Sequence, residues 1–380
     1  MLLSCPTVKL IVLQQRRTFT SSLAKRFSFN AQSLTESQAQ AALDKDCIDF
    51  LPWLEQIAGA KITNTLSTGK SLYGRALFAS KVIHAGDCIL KVPFNAEFSL
   101  VSQAFKKHLP KAIERPALEN FMYAYTLVGS RAWETSRGIS LIPFADFMNH
   151  DGLSASIVLT DEDNQLSEVT ADRDYSPGDE VLIRYGEFSN ATLMLDFGFT
   201  LPYNTHDEVQ IQMDIPNDDP LCNMKLGLLQ THYTRSVKDI NIFHSSYDTF
   251  TIKEVKSATG KGIPQSLRAF ARLLSCTSPQ ELNDLSKEAE LNDGRLARLP
   301  FKDRSRELEA HKIILAHINS LIVDHSVCIK ELGASNFRFE SQRLTVRRQM
   351  ARELIFGELR VLRSAAEWLI HYCTNLFSAP

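Results

Sequence analysis

Hydrophobic and polar positions follow two textures along the chain. Between 36 and 60, Ala39, Ala41, Leu43, Ile48, Leu51 and Leu54 recur near helical spacing and predict an amphipathic helix. From 61 to 100 the texture changes to short β-like runs broken by glycine. These are clearest at 76–79 and 88–92, with Ala85-Gly86-Asp87 as a turn. Residues 101–133 read as helix through Phe105, Leu109, Ile113, Leu118, Phe121, Tyr125 and Val128. Short strands follow over 139–142, 156–159, 167–170 and 181–185, the last after the turn Ser176-Pro177-Gly178-Asp179. A short helix over 188–199, ending near Gly198, and a final strand over 209–215 complete this part.

From about 221 onward the pattern is helical. Leu308, Leu315, Ile318 and Ile322 form one apolar stripe, and Ile355, Leu359, Leu362, Ala366, Leu369 and Cys373 form another. The Gly260-Lys261-Gly262-Ile263-Pro264 stretch is a loop without the spacing of a phosphate-binding loop, so it carries no nucleotide role. The fold class expected is α+β: a helix-flanked body of many short strands, then an all-α part.

Composition narrows the function classes. The chain has 380 residues, 44% of them hydrophobic and 23% charged, with a formal charge of −2. That supports a sizeable core and argues against disorder. It offers no basic surplus of the kind that holds nucleic acid. Apolar runs such as 10–13 are far shorter than the roughly 18 residues of a membrane span, so a soluble protein is expected, with no membrane partner. The seven cysteines, at 5, 47, 88, 222, 276, 328 and 373, form no CxxC pair. Neither a zinc cluster nor a disulfide framework is expected, and buried reduced thiols are the plain reading. Residues 1–35 contain no acidic residue, several basic ones and many hydroxyls, as an organellar transit peptide does. An ordinary disordered tail is the alternative, and composition does not separate plastid from mitochondrion.

Three segments carry candidate chemistry. In Tyr73-Gly74-Arg75-Ala76-Leu77-Phe78-Ala79, a glycine entering a strand lets a ligand lie against bare backbone, although a plain strand start has the same pattern. In Ser130-Arg131-Ala132-Trp133 and the following Leu141-Ile142-Pro143-Phe144-Ala145-Asp146-Phe147-Met148-Asn149-His150, four polar residues stand among large apolar ones. Arg131, Asp146, Asn149 and His150 must find partners, either in the backbone or in a polar ligand. In Gly178-Asp179-Glu180-Val181-Leu182-Ile183-Arg184-Tyr185-Gly186, a phenol ends an apolar strand, as either a core tyrosine or a site group.

Taken in order, "YGRALFAS…AGD", "SRAW…LIPFADFMNH" and "GDEVLIRYGEFSNATLMLDFGF" resemble the three blocks of SET-domain methyltransferases of the Rubisco large-subunit methyltransferase class. The resemblance spans about residues 50–380. It implies a SET domain of short strands with a knotted core over 36–215, after the transit peptide at 1–35. A helical substrate-binding domain then covers 216–380. It further implies S-adenosylmethionine as cofactor, with no metal. Tyr73, Gly74 and Arg75 match the stretch whose backbone holds the methionine part of that cofactor. Arg131 matches an arginine near its carboxylate, and Asn149 and His150 match the pair that clasps it, with Asp146 just before them. Tyr185 matches the active-site tyrosine, and Phe197 an aromatic position beside the substrate lysine.

The activity so implied is methylation of a lysine on a non-histone protein of the chloroplast stroma or mitochondrion, such as Rubisco large subunit or aldolase, by a monomeric enzyme. Methyl transfer from a sulfonium needs a neutral amine, and a free lysine has a pKa of about 10.4. An apolar channel beside a cation lowers that value. Alignment can then supply roughly 7–11 kcal/mol of the barrier. Two departures qualify the match. Phe197 stands where many relatives carry tyrosine, and the helical insert expected near 95–97 is shortened, which bears on substrate binding. Protein-histidine methylation and a non-catalytic SET-fold binding module remain as alternatives.

Overall fold

The computed structural model describes residues 49–71, 74–99, 118–232, 249–292, 294–333 and 342–378. The proposed transit peptide, Tyr73, Cys5, Cys47 and most of the helix read over 101–133 lie outside them. The chain divides into two compact units. One holds the described residues up to Phe188 together with Leu195–Gly198, and the other holds Ser189–Met194 and the chain from Phe199 onward.

The first unit opens with helix α1 (Phe50–Ala58), closed by Gly59 in the left-handed conformation. Strands β1 (Leu66–Ser71) and β2 (Gly74–Ala79) form an antiparallel hairpin, with Ser71 opposite Gly74 at its turn. Strand β3 (Cys88–Pro93) runs through a 3-10 turn at Phe94–Ala96 into β4 (Phe98–Ser99). After helix α2 (Leu118–Gly129) come β5 (Ala132–Thr135), β6 (Gly138–Leu141), β7 (Asn149–His150), β8 (Val158–Asp161), β9 (Leu166–Thr170) and β10 (Leu182–Ile183). They form small sheets in the orders β3-β9-β8 and β4-β6-β5, plus the parallel pair β7-β10. Their inward faces share one core that includes Leu77, Val92, Ile142, Phe144, Val169, Val181 and Ile183. Burial of such side chains is worth about 1.5–3 kcal/mol each, which is what holds many two- to six-residue strands together.

Several sequence expectations change here. The helix read as far as 133 stops at Gly129, and Trp133 lies in β5. The side chains described in α2, from Met122 on, are mostly exposed, Tyr125 to 72% and Leu127 to 44%, so no buried stripe shows among the described side chains of this helix. The strand read over 181–185 keeps only Leu182–Ile183 as ladder. Its N-terminal part is shared with another partner: Ala79 N–H donates to Asp179 O, and Val181 N–H to Leu77 O. Where the insert reads as shortened, the chain is tied in. Asn95 Nδ2 donates to Ala58 O at 3.3 Å, and the Arg137 guanidinium lies 4.5 Å from the Phe94 ring.

In the second unit a short turn of helix, α3 (Asn190–Thr192), is capped by the Ser189 side chain and continues as a π-helical turn over Leu193–Phe197, whose last three residues fall in the first unit. Strand β11 (Glu208–Gln212) is not the last strand. It pairs antiparallel with β12 (Thr249–Lys253), so among the described residues this unit is helical apart from one two-stranded sheet. Helices α4 (Cys222–His232), α5 (Gln265–Ser275), α6 (Pro279–Leu291), α7 (Arg304–Gly333) and α8 (Gln342–Ser378) supply the rest. Ser278 and Glu281 form a capping box at the start of α6. Ile252, Leu267, Leu273, Ile314, Leu362 and Leu369 lie in its core.

Helix α7 contains an 18-residue window of mean hydropathy 1.3, long and apolar enough to cross a membrane by length and composition, although its apolar residues form no long uninterrupted run. Its buried residues include Glu307, His311 and His325, paired inside the unit, while 22% of the apolar window is buried. The thiols also differ from the plain reading. Cys276 and Cys328 are buried, Cys222 and Cys373 partly so, and Cys88 is exposed.

Candidate functional site

The site begins with a parallel pairing. Ile183 lies opposite His150 and Leu182 opposite Asn149, so the ends of β7 and β10 lie side by side although 33 residues separate Ile183 from His150. The pairing continues past the ladder. Asp151 N–H donates to Ile183 O at 2.9 Å, and Tyr185 N–H donates to His150 Nδ1 at 3.0 Å. Because Nδ1 accepts, the ring proton of neutral His150 sits on Nε2. The Tyr185 hydroxyl donates to Met148 O at 2.6 Å. One tyrosine is thus fixed at both its backbone and its hydroxyl by the Met148–His150 segment.

Around this phenol stands an aromatic wall. Trp133 meets it edge-on at 5.6 Å between centroids, His150 at 5.1 Å and Phe197 at 5.4 Å, and Phe188 packs on Phe197 at 5.5 Å. Burial pushes the Tyr185 hydroxyl up to about 12, with the negative charges of Asp146 and Glu180 adding to it and Arg131 opposing. Tyr185 is therefore a neutral phenol throughout the physiological range. Its one proton is committed to Met148, so its oxygen faces any further partner as an acceptor.

The polar side is built on a strained turn. Phe144, fully buried, has φ 73° and ψ −42°, a conformation a side-chain-bearing residue rarely holds. It opens the 3-10 turn Ala145–Phe147 and sets Asp146 toward Arg131, whose Nη1 donates to Asp146 O at 3.0 Å. Burial raises the Asp146 carboxyl, while Arg131 and Arg75 oppose that rise. The Arg75 guanidinium lies 5.3 Å from the Phe147 ring centroid. Gly74 has φ +112°, and nothing stands within 4 Å of where a Cβ would project, so open backbone faces outward at the head of β2.

Asn149 completes the set. Its Nδ2 donates to Glu180 Oε1 at 2.7 Å and to Ser71 Oγ at 3.4 Å. Burial raises the Glu180 carboxyl, and the bonds from Asn149 and Ser71 restrain that rise.

Direct contacts join Arg131 to Asp146, and His150 and Phe197 to Tyr185; Asn149 adjoins His150, the charges of Arg131 and Asp146 reach the Tyr185 hydroxyl, and Arg75 lies by Phe147. Gly74 joins them less directly, through Ser71 across the hairpin turn. Tyr73 lies outside the described residues. Sequence reasoning missed three contributors. Trp133 stands in a candidate segment without a role, at the end of a predicted helix that is a strand there. Ser71 draws no attention in the sequence, Glu180 stands in a candidate segment with no role of its own, and only the fold brings them against Asn149.

Comparison with known proteins agrees with this geometry. The SET domain family model matches residues 74–186, the stretch from Gly74 to Gly186. The actin-histidine N-methyltransferase of Canis lupus familiaris is 27% identical over 236 residues, covering 60% of this chain and 36% of that protein. Its Homo sapiens counterpart is 26% identical over the same shares. The chain thus spans about a third of the length of these relatives. Among solved structures, the SET domain of LSMT bound to lysine and AdoHcy superposes with a TM-score of 0.61 at 16% identity, covering 88% of this chain and 93% of that one. Rubisco LSMT bound to AdoMet gives 0.59 at 17% identity, covering 87% and 93%. The chain carries a SET domain and shares the fold of these structures.

Proposed function

We propose that this SET-domain chain is a protein methyltransferase that uses S-adenosylmethionine and methylates a lysine side chain. The observation that carries the reading is the double anchoring of Tyr185 by His150 Nδ1 and Met148 O inside a wall of Trp133 and Phe197. The polar side suits the cofactor: Gly74 offers open backbone, Arg131 a cation for a carboxylate, and Asn149 Oδ1 an acceptor for an ammonium. When bound, the cofactor supplies an electrophilic methyl on a cationic sulfur.

The residues of this chain do the rest. Trp133, Tyr185 and Phe197 form the apolar surroundings that favour a neutral amine over a charged one. The Tyr185 oxygen accepts an amine N–H and so points the nitrogen lone pair. With its hydroxyl held up at about 12, Tyr185 orients the amine and is not its base. In the displacement the nitrogen–carbon bond forms as the carbon–sulfur bond breaks, and the surplus proton leaves to water.

Similarity in sequence to actin-histidine N-methyltransferases favours a second acceptor, an imidazole nitrogen. Likeness to LSMT structures bound to lysine favours the amine, over a larger share of both chains. A non-histone organellar protein, with Rubisco large subunit and aldolase as the first to try, remains part of the proposal, as does a monomeric enzyme in plastid or mitochondrion.

The test is incubation of the chain with methyl-deuterated S-adenosylmethionine and stromal or mitochondrial extract, followed by mass spectrometry. Label on lysine supports the reading. Label on histidine transfers it to the second acceptor. No label on any protein overturns it.

A further inference from the structure

One half-buried carboxylate of the first unit has no role assigned in the chemistry described above. Glu180 sits at an isolated antiparallel bridge to Phe78 of β2, just before β10. Its Oε1 accepts from Asn149 Nδ2 at 2.7 Å, and its carboxyl also takes a hydrogen bond from Ser71. Asn149 Nδ2 in turn lies 3.4 Å from Ser71 Oγ. The three side chains close a triangle between the end of β1, the start of β7 and the approach to β10. The latter two carry sequence blocks, and β1 is the hairpin partner of β2, which carries the first.

The triangle has a polarity. A carboxylate accepts and does not donate, so it selects the amide nitrogen of Asn149 over its oxygen. The reverse orientation would set Oδ1 against a carboxylate at 2.7 Å, two acceptors without a proton between them. Both donors of Asn149 are thereby drawn inward. Among the described residues none bonds Oδ1, which is left as the outward-facing group. An outward carbonyl oxygen recognises an ammonium, and an outward amide N–H would repel one.

We infer that Glu180 is a positioning residue that locks the Asn149 amide with Oδ1 outward, so that the site accepts the ammonium at the methionine end of the cofactor. This rests on the S-adenosylmethionine reading. Glu180 acts through its bond with Asn149. Glutamine at 180 keeps an oxygen that accepts from Asn149 Nδ2, so E180Q preserves the lock and E180A removes it. N149D places two carboxylates against each other, which then compete for one proton. In N149D/E180Q the glutamine donates to one aspartate oxygen and leaves the other outward, which restores the arrangement with its polarity reversed.

The experiment is calorimetric titration of the full chain and these variants with S-adenosylhomocysteine, with thermal melting as a check on folding. The expected results are binding by wild type, weakening of about tenfold or more in E180A and N149D, and affinity within about threefold of wild type in E180Q. In N149D/E180Q most of the loss in N149D should be recovered. A merely structural role for Glu180 would not produce that rescue, and the rescue decides the matter if E180A does not fold. Wild-type binding with E180A unchanged, or with the double variant no better than N149D, overturns the positioning role. Absence of binding by folded wild type overturns the cofactor reading and this inference with it.

Discussion

The backbone N–H of Tyr185 donates to Nδ1 of His150 at 3.0 Å, across 35 residues of sequence. His150 thus acts on the tyrosine through its ring and fixes where the phenol begins. Replacing it by alanine removes the acceptor and leaves a partly buried N–H without its partner, at about 1–3 kcal/mol of stability. H150A is expected to fold, to melt at lower temperature and to lose about 10²-fold in methyl transfer as Tyr185 shifts. Melting and turnover assays on the same preparation check both halves.

Y185F tests the hydroxyl alone. The ring contacts with Trp133, His150 and Phe197 remain, and only the bond to Met148 O and the oxygen acceptor are lost. Affinity for S-adenosylhomocysteine should stay within about twofold, while turnover falls by about 10²-fold or more. Calorimetry and single-turnover methylation separate the two effects.

In the helical unit, Arg272 and Glu307 form a bidentate pair with both side chains 1% exposed, at 2.7 and 2.8 Å. Burial pushes the Glu307 carboxyl up, but Arg272 and the Phe301 N–H outweigh it and hold the carboxyl below its usual range. R272M leaves that charge buried and unpaired, and should destabilise the protein by about 3–5 kcal/mol. R272M/E307L should recover much of the loss. Urea unfolding of the chain and both variants measures this.

His311 makes stability depend on pH in a definite direction. Burial lowers its ring to about 4, against the opposing pull of Glu307. Its Nε2 accepts from Arg268 Nε at 3.2 Å, which also requires the neutral ring. A group depressed on folding takes up protons in the unfolded chain first, so its contribution is present above about 6.5 and is lost as pH falls toward about 4. H311Q should flatten the decline of melting temperature over that window, whatever its effect at neutral pH.

Much of the site was legible because its blocks are local. Leu182-Ile183-Arg184-Tyr185 reads as a strand end, and Leu182–Ile183 is a strand; Asn149-His150 stands out only as polar residues among apolar ones, and its strand appears in the fold. Their parallel pairing was not legible, since no local pattern states which strand ends lie together. Nothing local marks Ser71 or Glu180 as a partner of Asn149 until the fold brings them together. Trp133 and β12 were missed because short apolar runs read equally well as helix, and tertiary pairing decided them. Tyr125 shows the opposite failure: its helical spacing suggests a core position, yet α2 leaves it exposed.

The central claim is that residues 74–79, 149–150 and 178–186 respond as one pocket to one ligand. Hydrogen–deuterium exchange of the full chain, with and without S-adenosylhomocysteine, tests this directly. The account predicts coincident slowing of exchange in all three segments at the same ligand concentration. Slowing confined to one segment, or to residues outside all three, would contradict it.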